Sequence, residues 1–197
     1  MTEMSSGQSL PSHLVDVLTR LGARDRALRA AFEGRSLVEP PPDKSMALAD
    51  AADVLREQKT PYMLVGGVAV AIHTGIPRAT LDIDLAIHSK ADRASLVLAF
   101  QRAGFTLKGT HAHSINLRHP GGEPVQLAFE AGFDEAIGRA TSFLLGKVDV
   151  RIVLREDLIK LKERAASDPL RRKSKALRDR ADLEMLRGDV GDPDEGW

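Results

Sequence analysis

LVGGVAVAIHTGIPRATLDIDLAI, residues 64–87, sets two carboxylates one residue apart, soon after a double glycine. The segment TLDIDLAI (80–87) alternates as a β-strand does, with successive side chains on opposite faces. Leu81, Ile83, Leu85 and Ile87 then form one face, expected to be the core. Thr80, Asp82, Asp84 and Ala86 form the other. Asp82 and Asp84 sit about 7 Å apart along such a strand, close enough to converge on one hard cation and to repel each other without one. Taken alone, Asp-x-Asp is more often a pair of solvent-facing acids on an amphipathic strand.

The glycines change that balance. Gly66 and Gly67 follow a buried apolar run, YMLV, and open VAVAIHTG, which has room for two helical turns ending at Gly75. Glycines there let backbone N–H groups approach a phosphate, and a helix N-terminus adds positive potential. The spacing is neither the dinucleotide fingerprint nor a P-loop. Strand, Gly-Gly, short helix and a strand bearing Asp-x-Asp, with Arg78 just ahead of it, resemble the nucleotidyltransferase fold of the DNA polymerase β superfamily. The resemblance implies that Gly66 and Gly67 hold the triphosphate of an NTP and that Asp82 and Asp84 hold Mg²⁺ (or Mn²⁺). Arg78 and Thr80 are then expected beside the nucleotide.

The rest of the chain suits that reading. It has 197 residues, 43% hydrophobic and 28% charged, which fits one globular domain with an appended segment. No apolar run is long enough to span a bilayer. The N-terminal twenty residues lack a basic and then apolar leader, and there is no cysteine, so a cytoplasmic protein without a membrane partner is expected. Residues 10–34 read as an amphipathic helix, and VEPPPDKS interrupts regular structure. Three parts follow: an N-terminal helical arm with a Pro-rich linker (1–44), a core (45–150), and a C-terminal strand, helical pair and acidic tail (151–197). Within the core, a helix over 44–59 precedes the 62–67 strand. A helix over 90–104 leads into strands near FTLKG, HSINLRH and PVQLAFEA, and a loop or helix occupies 133–143.

Net charge is zero, yet 151–187 holds twelve Lys and Arg against seven Asp and Glu, and RRKSKALRDR (171–180) holds six of those cations. Such a segment fits RNA or a triphosphate, and fits a solvated helix face equally well.

LREDLIKLKERA followed by KALRDRADLEML resembles the ending of the AbiEii and mycobacterial MenT toxin branch of that superfamily, over roughly residues 45–187. There a helical Lys and a later Lys/Arg-Asp-x-x-Asp helix complete the active site. At 100° per residue, Leu158, Ile159, Leu161, Ala165 and Ala166 form an apolar arc with Lys162 in its middle and Lys160 opposite. An amine on an apolar face needs a partner, so Lys162 is the candidate catalytic lysine. Ala176, Asp179, Leu183 and Leu186 share a stripe of the last helix, so Asp179 faces inward. Asp182 lies about 60° away and is the weaker candidate, and Arg178 and Arg180 suit the rim.

One departure stands out. Many relatives carry a third metal-binding acid on a later strand, where PVQLAFEA has Gln126. Glu130 shares its face but lies about 13 Å further along. His111 and His113 alternate as on a strand without a third ligand nearby and read as surface residues. His73, at a helix end, suits a cap or a nucleotide contact.

The expectation is therefore a mixed α/β (α+β) nucleotidyltransferase core, with an N-terminal helical arm and C-terminal helices. The resemblance implies the toxin of a toxin–antitoxin pair, partnered by its antitoxin. It would transfer NMP from an NTP to an RNA acceptor, a tRNA 3′ end, and so block translation. A protein or small-molecule acceptor, or a non-catalytic nucleotide-binding module, are the alternatives. Thr80, on the acidic face, is also a candidate regulatory site, since a phosphate there would add charge beside two carboxylates.

Overall fold

The computed structural model describes residues 44–76 and 80–188. The N-terminal arm, Arg78 and the acidic tail lie outside them. Six α-helices and seven strands occur among the described residues. In chain order the first are α1 (Lys44–Glu57), β1 (Tyr62–Val65), α2 (Gly66–Thr74), β2 (Ile83–Ile87) and α3 (Arg93–Arg102). Strands β3 (Thr106–Thr110), β4 (Ser114–Arg118) and β5 (Pro124–Ala128) follow. A 3₁₀ turn leads to α4 (Asp134–Arg139), then β6 (Thr141–Leu145), β7 (Val148–Ile152), α5 (Arg155–Ser167) and α6 (Lys173–Arg187).

All seven strands join one mixed sheet in the order β3-β4-β5-β2-β1-β7-β6. β2 runs antiparallel to β1 and parallel to β5, and β1 runs parallel to β7. The period of two decides which residues face inward. Leu64, Ile83, Leu85, Ile87, Ile115, Leu117, Val125 and Leu127 are all buried and fall on one face by the ladder register. α1 buries Ala47, Leu48, Ala51 and Leu55, a three-and-four spacing that makes one apolar stripe. It packs against β7 and α3. α2 packs against β1, β2 and α6, and α5 against α6.

Three sequence expectations change. The 80–87 strand begins only at Ile83, because its ladders with β1 and β5 start at Asp84–Val65 and Ile83–Val125. Upstream of that pairing nothing enforces alternation, and Leu81 is 65% exposed instead of in the core. The second change is β6, which occupies the end of the expected 133–143 loop or helix. It forms a hairpin with β7, with Gly146 at φ 65 in the turn, a conformation glycine adopts without strain. Third, His111 and His113 lie in the turn between β3 and β4, outside either strand. The division at residues 150/151 falls inside β7.

Two polar contacts fasten the helices to this sheet. Lys44, at the start of α1, places Nζ 2.8 Å from Glu123 Oε2, with both side chains no more than 1% exposed. In the last turn of α2, His73 Nε2 lies 2.7 Å from the carbonyl of Val153. Arg155 donates to the carbonyl of Leu186 at the end of α6 and to that of His73.

Breaking a buried ion pair from one side is destabilising even where the cation keeps another contact, as Lys44 does with the Leu81 carbonyl, so Glu123→Ala should cost about 3 kcal/mol in denaturant unfolding. His73 gives a pH test. Burial, the largest cause, and the nearby Arg155 lower its pKa below the usual value, against the Val153 carbonyl. The unfolded chain therefore takes up the imidazole proton first. Stability should fall as pH drops below about 6.5, levelling off once the folded histidine is protonated. A His73→Gln variant should lose that slope in unfolding curves measured across the window.

Candidate active site

The site is built where β1 ends. Gly66 has φ 70, and a side chain there is excluded, since a Cβ would lie 2.0 Å from Asp84 Oδ2. Val65, the preceding residue, pairs with Asp84 in the β1–β2 ladder. Glycine thus lets the start of α2 lie directly against the carboxylate of the neighbouring strand. A left-handed residue followed by helical ones also gathers N–H groups toward one point, an anion-binding arrangement. Gly67 is buried in the first turn of α2, and Gly75 ends the helix in the left-handed conformation.

Asp82 precedes the strand and is partly exposed. Its carbonyl accepts from Thr80 Oγ1 at 3.3 Å. Thr80 is itself nearly buried and does not continue the pleat of β2, so strand geometry no longer aims its hydroxyl at the acidic face. Gln126 pairs with Asp84 across β2–β5, and with Asn116 on its other side. Gln126 therefore stands beside Asp84, and its Nε2 donates to Asn116 Oδ1 at 3.0 Å.

Asp82, Asp84 and the amide oxygen of Gln126 are hard oxygen donors, the type Mg²⁺ prefers, and such sites are completed by water and substrate phosphate. Among the described residues no group of three or more His, Cys, Asp or Glu is placed to hold a metal. The donor set fits a cation shared with a phosphate substrate, with one charge fewer than a three-acid site.

A second cluster lies in the C-terminal helices. Lys162 Nζ is 2.9 Å from Asp179 Oδ1 and 2.7 Å from Asp182 Oδ2. Asp179 is 2% exposed and Asp182 0%. Arg171 Nε reaches the other oxygen of Asp179. Asp182, ranked lower on helical phase, is thus as close to Lys162 as Asp179 is. Two carboxylates three residues apart are neighbours on a helix surface, and one long amine bridges both. Arg171 was not singled out, and in the sequence it is one of six similar cations. Lys160, 70% exposed with Asp157 at 3.8 Å, lies outside the cluster. Arg178 and Arg180 are exposed. The two clusters are linked through α6, which packs on α2, the helix that Gly66 opens.

Fold and site together define a nucleotidyltransferase. A family model described as "Nucleotidyl transferase AbiEii toxin, Type IV TA system" matches residues 47–195, and the chain belongs to this family. Membership in a type IV toxin–antitoxin family brings with it an antitoxin partner. No curated protein matches the sequence. Among solved structures, the chain is similar to the antibiotic-resistance factor ANT(2'')-Ia in solution, at 17% identity and TM-score 0.52, over 75% of this chain and 84% of that one. The crystal structure of ANT(2'')-Ia with adenylyl-2''-tobramycin gives 18%, 0.51, and 75% and 90%. The Megavirus polyadenylate synthase gives 12% and 0.51, over 98% of this chain and 41% of that one. These likenesses extend to the fold. No helix among the described residues is long and apolar enough to cross a membrane.

The two positive-φ glycines that flank α2 separate site from scaffold. Gly75→Ala meets nothing within 4 Å and should cost only the left-handed penalty, about 1–2 kcal/mol, with activity retained at permissive temperature. Gly66→Ala must displace Asp84 and should abolish nucleotidyl transfer in a protein that still folds, as judged by circular dichroism.

Proposed function

We propose that the enzyme transfers a nucleoside monophosphate from an NTP to an RNA acceptor, a tRNA 3′ end, in a Mg²⁺-dependent reaction that blocks translation and growth. The observation that carries the reading is the contact of Gly66 with Asp84. It sets a glycine turn at a helix start against a carboxylate with no side chain between them, which suits a phosphate held beside a metal-bound acid.

On this reading the N–H groups at Gly66 and Gly67 hold the triphosphate at the start of α2, while Asp82, Asp84 and the Gln126 oxygen hold the cation. When bound, Mg²⁺ neutralises charge on the phosphate oxygens and orients them. The acceptor 3′-oxygen bonds to the α-phosphorus, the bond to the β-phosphate bridging oxygen breaks, and pyrophosphate leaves. Solvent takes the hydroxyl proton. Positioning and charge neutralisation carry most of such a reaction.

Lys162 offers a positive charge to the nucleotide, held in one place by Asp179 and Asp182. Arg78 serves the leaving phosphates. Thr80 holds the Asp82 backbone through its hydroxyl, and phosphorylation would break that bond and add charge two residues from the carboxylate. The exposed cations of α6, Lys173, Lys175, Arg178 and Arg180 among them, suit the acceptor's phosphates. The enzyme works in the cytoplasm, where its antitoxin restrains it.

A non-catalytic nucleotide-binding module is the second reading, and the Gln126–Asn116 amide pair in place of an acid favours it.

Incubation with each α-labelled NTP and total RNA tests the reading directly. Label should enter a tRNA-sized band with wild-type protein and vanish with Asp82→Asn. Lys162→Met should lower transfer at least a hundredfold more than Lys160→Met. Binding of NTP without pyrophosphate release would favour the non-catalytic module, and label in protein would move the acceptor to another class.

A further inference from the structure

The two faces of β4 and β5 differ. Ile115, Leu117, Val125 and Leu127 are buried, whereas Ser114, Asn116, Gln126 and Ala128 on the opposite face keep partial exposure. The register aligns Asp84, Gln126 and Asn116 in one row, and Ala86, Ala128 and Ser114 in the next. On β4 and β5 a strip of small and amide side chains thus begins beside Asp84 and runs toward the C-terminal end of β5, with Ala86 beside it fully buried.

Past the end of β5 lies an open cavity of about 520 Å³ lined by Ser89, Arg93, His113, Phe129, Glu130 and Ala131. That volume lies within the ~300–1,000 Å³ of small-ligand sites. The Arg93 guanidinium stands 4.5 Å above the Phe129 ring, and its Nη1 donates to the Ala112 carbonyl at 2.7 Å. Those two contacts hold a flat cation in one orientation. Glu130 keeps extended backbone, φ −121 and ψ 131, and follows the end of β5 by two residues, about 13 Å past Gln126. Both Glu130 and His113 are exposed to the cavity mouth.

We infer that the strip and cavity form the acceptor subsite: the attacking end of a single-stranded RNA lies over Gln126 and Asn116, and a base upstream of it enters the cavity and stacks on Arg93. This rests on the RNA-acceptor reading above. The chemistry selects a base over a phosphate. A guanidinium held flat on an aromatic ring is a platform for planar groups, and single-stranded RNA is bound by stacking on such planes. Glu130 repels a phosphate, but accepts from the exocyclic amine of cytosine, adenine or guanine, while Arg93 and His113 donate to ring acceptors. Uracil turns a carbonyl toward Glu130 where those bases turn an amine, and is disfavoured.

The test uses the full-length protein with short synthetic RNA acceptors that differ at one upstream position, read by fluorescence anisotropy and by transfer kinetics. Arg93→Gln should raise the acceptor KM about tenfold, the change expected from one lost stacked base, with kcat and the NTP KM unchanged. Glu130→Gln, at an exposed position, should remove the discrimination against uracil at that position while thermal stability is kept. Wild-type enzyme that labels RNA while both variants keep its acceptor KM and base preference overturns the subsite and leaves the RNA reading standing. Wild-type enzyme that labels no RNA overturns both.

Discussion

Everything at this site depends on one close approach. β1 must end where β2 presents Asp84, because the two strands are paired there, and the chain must then turn into α2 without leaving that carboxylate. Any side chain at position 66 would occupy the space of the Asp84 side chain. The left-handed φ at the same residue closes the position to other amino acids a second time. The same few atoms therefore fix the direction of α2, the placement of its first N–H groups and the distance from them to the acid. Since α2 carries α6 against it, the Lys162 cluster inherits its placement from the same turn.

The C-terminal helices need a fastening of their own, because α5 and α6 bury few large side chains against the sheet. Leu158 is fully buried in α5, and Leu183 and Leu186 in α6. Charged contacts make up the rest. Arg155 ties the last turn of α6 to the end of α2. Asp157 accepts from Nε and Nη2 of Arg139, and these hydrogen bonds hold its carboxyl below the usual carboxylate range against the opposing effect of burial. Lys162 lies between two buried acids. Such pairs add little net stability compared with apolar packing, but they are costly to break singly. A lysine held on both sides keeps its position.

The sequence was most legible where a periodic pattern met a residue type that only one geometry accepts. Gly66 and Asp84 were identifiable because a buried strand, a double glycine and an alternating acidic strand together leave few arrangements open, and the ladder register then brought them into contact. Lys162 was identifiable as an amine within an apolar arc. Alternation misled at Leu81 and Thr80, since a pattern of period two continues in the sequence beyond the residues that have a strand to pair with. β6 was missed because TSFLL has no alternation of its own, and its state is set by pairing with β7 across Gly146–Lys147. Asp182 was underrated because an angle measured at the helix axis ignores the reach of a lysine stem. Helical phase places a Cβ, and a side chain of four methylenes reaches well beyond it.

Gln126 shows how far the register changes the meaning of a single residue. In sequence it is only an amide at the position where the resemblance implies a third acid. In the sheet it is the direct neighbour of Asp84, so a carboxylate there would stand within one strand spacing, about 4.8 Å, of another carboxylate. Two such charges repel strongly unless a cation lies between them. The amide removes that repulsion, and its Nε2 donates to Asn116 Oδ1, which leaves the oxygen toward a ligand. A neutral donor of known orientation attracts a bare cation less than a third acid would. It still contributes an oxygen once a triphosphate brings negative charge of its own. The row Asp84–Gln126–Asn116 is thus better suited to a cation that arrives with the nucleotide than to one held in its absence. The same exchange of charge for amide leaves the floor of the sheet less negative than a third carboxylate at that position would.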